Sequence, residues 1–117
     1  MVTEYQRGAN FERAIMAELT ELGYFCIRSA GSHHLADVIA ISDGGARPIL
    51  IQAKCGKGTI STDDWNGLVD LAERYDCIPV LASIDKSERK HRTVYQYLMR
   101  KIKPRERREG CLRLFTP

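Results

Sequence analysis

Two apolar runs separated by a glycine turn constrain this chain more than any other feature. Ala36 to Ser42 holds Val38, Ile39, Ala40 and Ile41, Asp43-Gly44-Gly45 is a tight-turn signal, and Pro48 to Cys55 holds Ile49, Leu50 and Ile51. The spacing predicts a hairpin of two buried strands. Asp37 enters the first run, and Gln52 and Lys54 leave the second. Side chains at i and i+2 of a strand share a face, so Gln52 and Lys54 are expected side by side, with Asp37 beside them once the strands pair. An acid, a second oxygen donor and a lysine at one sheet edge suit a hard divalent cation acting on a phosphodiester.

The flanking segments predict an α/β domain. From Glu4 to Leu22 the residues Phe11, Ile15, Leu19 and Leu22 recur at helical spacing, with Ala14 and Met16 widening the stripe. Thr3 is the expected N-cap and Gly23 the stop. Tyr24 to Arg28 reads as a strand, and Ala30 to His34 as a loop. Ser61 or Thr62 caps a second helix running to Tyr75, with Trp65, Leu68, Val69 and Ala72 inward. Cys77 to Ile84 reads as a buried strand. Thr93 to Leu98 fits strand or helix, Pro104 to Glu109 reads as a short helix stopped by Gly110, and Leu112 to Phe115 as a last strand. The order is a mixed sheet with helices on its faces.

A length of 117 residues predicts one domain, 1–117. No apolar stretch approaches the roughly 20 residues that span a bilayer, and Met1 to Gly8 is polar, so no membrane contact is expected. Cys26, Cys55, Cys77 and Cys111 are widely spaced with no Cys-x-x-Cys pair, which predicts reduced, buried thiols and a cytoplasmic setting. The net charge of +3 conceals an asymmetry: residues 1–85 carry 7 Lys/Arg and 12 Asp/Glu, net −5, and residues 86–117 carry 11 and 3, net +8. A polyanion contact near the C-terminal end is one reading, and a solvated basic tail the other. Within it, Lys86 to Arg92 joins basic residues to a loop after a strand.

Several short motifs stand in a definite order: Arg7-Gly8 and Phe11-Glu12-Arg13, Gly23-Tyr24, Arg28 to Ser32, Ala36-Asp37-Val38-Ile39-Ala40, and Gln52-Ala53-Lys54. In order and spacing they resemble the PD-(D/E)XK nuclease superfamily, and most closely the archaeal-type Holliday junction resolvases, viral relatives included, over residues 5–84. The resemblance implies a restriction-endonuclease-like mixed sheet flanked by helices. It implies a structure-selective endonuclease that resolves four-way DNA junctions by paired nicks and works as a homodimer. If viral, the protein would act in the host cytoplasm. The implied cofactor is Mg²⁺, with Mn²⁺ able to substitute. Glu12 matches the helix acid that organises the metal site, Ser32 a serine near the scissile phosphate, and Asp37 the main metal-binding aspartate. Lys54 matches the lysine that positions the attacking water. The implied metal set is Glu12, Asp37, Gln52 and Ala53. Expected DNA contacts are Arg7, Arg13, Arg28, Ser32, His33, Lys57, Arg89, Lys90 and Arg92.

Two positions depart from that pattern. The proline before the aspartate is Ala36, which costs loop rigidity. The acid two residues before the lysine is Gln52. An amide oxygen still coordinates Mg²⁺, but a full negative charge about 2 Å from the ion is lost. At an effective dielectric of roughly 20 that is several kcal/mol of gross attraction. A weaker metal site and slower hydrolysis are expected. Three readings stay open on the sequence: a resolvase, another repair or restriction-like endonuclease of the superfamily, and a branched-DNA-binding module without catalysis. A natural Gln variant and an introduced Glu→Gln change fit equally.

Overall fold

The computed structural model describes residues 1–29, 35–56, 59–87 and 91–117. Helix α1 spans Glu4–Glu21 and opens on a complete capping box. Thr3 Oγ1 accepts the Gln6 N–H at 3.1 Å, and Gln6 Oε1 accepts the Thr3 N–H at 2.9 Å. Gly23, at φ +99, carries the chain out of the helix in a conformation that glycine adopts without strain. Ala9, Phe11, Ile15 and Leu19 form its buried stripe. Leu22 falls beyond the last turn and is exposed, and Ala14 also faces out, so the stripe is narrower than the sequence spacing suggests.

Six strands form one sheet in chain order: β1 Phe25–Arg28, β2 Val38–Ile41, β3 Ile49–Lys54, β4 Ile78–Asp85, β5 Arg92–Leu98 and β6 Leu112–Leu114. All neighbours are antiparallel except β3 and β4, which are parallel and joined by α2, Thr62–Arg74. A parallel pair requires such a crossover. Ser61 is the N-cap of α2, accepting the Asp64 N–H at 3.1 Å.

Alternation along the strands divides the core. Val38, Ala40, Ile49, Ile51, Val80 and Tyr95 pack beneath α1, while Leu50, Leu81 and Leu98 pack beneath α2 with Trp65, Leu68 and Val69. Gly67 allows α2 to approach the chain before β2, since a Cβ there would lie 2.9 Å from Leu35 Cδ2.

One open reading is decided, and two expectations need correcting. Thr93 to Leu98 is strand: Tyr95 and Leu98 are buried on opposite faces, and this three-residue interval imitates a helix. Pro104 to Glu109 is not a helix. Pro104 and Arg105 form the centre of a turn closed by Glu106 N–H to Lys103 O at 3.1 Å, with Arg105 at φ +64, and only a 3₁₀ turn, Glu109–Cys111, follows. The Glu106 carboxylate stabilises that turn by accepting the Lys103 N–H and an Arg100 guanidinium N–H. Of the four free thiols, only Cys111 is fully buried; the other three are half-buried.

The C-terminal segment crosses α2 as a strap. Trp65, fully buried, donates its indole N–H to Arg100 O at 2.8 Å, and Asn66 exchanges two bonds of 2.8 Å with the backbone of Ile102. Lys101 meets Asp70 at 2.9 Å. Of the C-terminal cations, Arg100 and Lys101 are paired with acids at the surface.

Candidate active site

Strands β2 and β3 pair as far as Val38↔Ile51, and there the ladder forks. Asp37 donates its N–H to Ile51 O at 2.8 Å, and its Oδ2 accepts the Ala53 N–H at 2.8 Å. The carboxylate thus takes the place of the backbone carbonyl that the ladder no longer supplies. Ser29 N–H donates to Asp37 O at 2.9 Å, fixing the residue from β1 as well.

Extending the register one step sets Asp37 across from Gln52, on the sheet face that carries Leu50 and Lys54. Gln52 is only 7% exposed, and among the described residues its Oε1 has no hydrogen-bond partner. A buried amide oxygen left unpaired costs about 1–3 kcal/mol, so its retention here requires an explanation. Lys54 is half-buried at the strand end, with Ser83 as its register partner on β4.

Glu12 approaches from the α1 side. Its Oε1 accepts Arg28 Nε–H at 2.9 Å, an ion pair in which both side chains are mostly covered. Burial, and after it the negative charge of Asp37, push the Glu12 carboxyl above its usual range, against the hydrogen bond and charge of Arg28. Burial likewise raises Asp37, opposed by the Ala53 N–H and by the cations Lys54 and Arg28. Asp64 adds a smaller push upward at Asp37, and carboxyls destabilised by burial and by nearby acids are stabilised by a cation.

The comparisons with known proteins bear on this arrangement. A family model described as archaeal Holliday junction resolvase (Hjc) matches residues 3–109. The chain belongs to that family. This resolvase also shares its fold with the 1.6 Å structure of Archaeoglobus fulgidus Hjc, a Holliday junction resolvase from an archaeal hyperthermophile. The match has a TM-score of 0.60 at 24% identity, covering 78% of this chain and 70% of that one. The α/β restriction-endonuclease-like fold and the Holliday junction resolvase function expected from the sequence both hold, and the protein is a nuclease of DNA recombination and repair. Resolvases of this family depend on a metal. No helix among the described residues is long and apolar enough to cross a membrane.

The oxygens at the fork fit such an ion. Asp37 supplies a carboxylate and Gln52 a buried orphan amide oxygen, and Ala53 adds a backbone carbonyl between Gln52 and Lys54. These are hard donors of the kind Mg²⁺ takes, with water completing its shell. Among the described residues no three His, Cys, Asp or Glu side chains cluster as a ligand set.

The remaining sequence candidates are scattered. Arg28 is paired with Glu12. Arg7 and Arg13 are exposed on α1. Arg92 is exposed at the start of β5, 3.9 Å from Asp85. Ser32, His33, Lys57, Arg89 and Lys90 lie outside the described residues. Sequence reasoning missed Ser83 and Arg108, which line a cavity with Lys54. Strand alternation in β4 could have found Ser83; nothing local marks Arg108, 54 positions from Lys54.

Proposed function

We propose that this resolvase nicks four-way junctions with Mg²⁺ held at the β2–β3 fork by Asp37, Gln52 Oε1 and the Ala53 carbonyl. The observation that carries this reading is the buried, unpartnered Gln52 oxygen beside an aspartate whose own geometry is fixed by Ala53. A divalent ion in that position supplies Lewis-acid stabilisation of charge on the phosphoryl oxygens and acidifies the attacking water.

The chain's own groups do the rest. Lys54 orients the nucleophile and offsets negative charge as the pentavalent phosphorus forms, which is electrostatic stabilisation by a preorganised cation. Glu12 adds negative potential at the site, and Arg28 holds it in place. Because Gln52 contributes a dipole rather than a charge, ion binding is weaker than with a carboxylate and hydrolysis correspondingly slower. Ser32, His33, Arg7, Arg13, Lys57, Arg89, Lys90 and Arg92 extend the DNA surface in this reading, and recognition rests on phosphates and shape.

Two symmetric nicks call for two such sites, hence a homodimer with twofold symmetry. The β1–β2 register brings Phe25 and Ile41 into a pair, with Ile27 two residues on, and all three apolar side chains are exposed on one face. They are the apolar surface offered to that contact. The test is a nicking assay with Mg²⁺ or Mn²⁺ on junction, flap and linear duplex. Paired cuts confined to the junction support the proposal. Cutting of all three, or binding without cutting under either ion, overturns it.

A further inference from the structure

A cavity of about 260 Å³ opens beside Lys54, on the α2 face of the sheet. At roughly 30 Å³ per liquid water it holds far more than a trapped solvent molecule. Its walls are mostly apolar, from Ile60, Trp65, Leu81, Ile84 and Leu112, and its polar groups lie in register. Ser83 is the register partner of Lys54, and Gln96 the partner of Leu81, so hydroxyl, amide and ammonium come from three adjacent strands. Neighbouring strands lie about 4.8 Å apart, which puts Ser83 one strand from the proposed reaction centre.

Arg108 closes the far side. Its guanidinium lies over the Trp65 ring, 5.4 Å from the centroid, and Nη1–H donates to Ile60 O. Both anchors are fully buried parts of the α2 core. Stacking occupies the face of the guanidinium and Ile60 takes one N–H, yet the group carries five N–H donors in a planar fork. An arginine already immobilised by a core tryptophan loses little further freedom on taking an anion, the condition for a strong bidentate phosphate contact. A surface tie for the strap alone would need neither the concavity nor the hydroxyl and amide facing it.

We propose that this cavity is a subsite for the backbone phosphate next to the scissile one on the cut strand, gripped by Arg108 with Ser83 and Gln96 lining its floor. The inference rests on the reading of Lys54 as facing the scissile phosphate. Arg108 would hold the strand in register so that the phosphodiester at Lys54 is presented in line, making it a DNA-binding and positioning residue.

The test couples protein and substrate. Four-way junctions carry a single neutral methylphosphonate at each phosphate flanking the mapped nick in turn. Binding is measured in EDTA, where the strands stay intact, with the parent protein and with Arg108→Gln. Glutamine removes the charge and the fork of donors while staying polar, and thermal melting shows whether the fold holds. At one flanking position the parent should lose affinity by roughly tenfold, as Arg108→Gln does on unmodified DNA, and the two losses should not add. Additive losses at every position would overturn the subsite while leaving the resolvase reading intact. A parent that binds the junction no better than linear duplex would overturn that reading and the subsite together.

Discussion

The carboxylate of Asp37 accepts the backbone N–H of Ala53 at 2.8 Å, from a strand whose ladder with β2 has just ended. One bond thus terminates the pairing and aims the acid. It also ties Asp37 to the Gln52-Ala53-Lys54 segment.

Asp37→Asn should abolish cleavage while leaving junction affinity within a few-fold of the parent. The amide oxygen can still accept the Ala53 N–H, so the fork is kept, and affinity draws on many phosphates. Added Mg²⁺ should raise the melting temperature of the parent and not of the variant. Ion binding at about 100 times Kd is worth about 2.7 kcal/mol to the folded state. Cleavage surviving in Asp37→Asn would place the metal elsewhere.

Glu106 links acidity to the strap. The Arg100 hydrogen bond, and after it the Lys103 N–H, hold its carboxyl down at about 2. A carboxyl lowered on folding favours the folded state at pH values above its unfolded pKa, about 4.3. That contribution fades as pH falls from there toward about 2. Glu106→Gln should therefore melt a few degrees below the parent at pH 6, and the gap should close toward pH 2.5 in a calorimetric series. A gap independent of pH would mean that the carboxylate charge contributes nothing.

Much of this was legible in the sequence because it is local. The Thr3 and Ser61 caps, the apolar stripes of both helices and the Asp-entering, Lys-leaving hairpin all declare themselves within a few residues. The closeness of Asp37 to the Gln52-Ala53-Lys54 segment was legible for the same reason, since they flank and close one hairpin. What escaped depends on distant partners. The pairing of Arg28 with Glu12, 16 residues away, carries no local mark. Residues 104–109 carry helical composition, but Arg100 and Lys103 claim Glu106 for a turn. Arg108 reaches the cavity beside Lys54 through the strap, which Trp65 and Asn66 of α2 hold by distant backbone contacts.

Phe25→Asp should turn a dimer into a monomer at micromolar concentration, read by light scattering. Phe25 is 66% exposed and contributes nothing to the buried core, so thermal stability of the monomer should hardly change. Nicks should become unpaired, one strand at a time, because each site then acts alone. A variant that stays dimeric would move the twofold contact away from the β1–β2 face.

The most direct measurement is a Mg²⁺ titration of Gln52→Glu, followed in parallel by melting and by single-turnover cleavage. A carboxylate at this buried position lacks any partner until an ion arrives. The account therefore predicts a lower melting temperature than the parent in EDTA, a larger rise with Mg²⁺, and cleavage faster by roughly tenfold, which takes about 1.4 kcal/mol of added transition-state stabilisation. Unchanged Mg²⁺ affinity with unchanged or slower cleavage would contradict it, because Gln52 would then not face the ion.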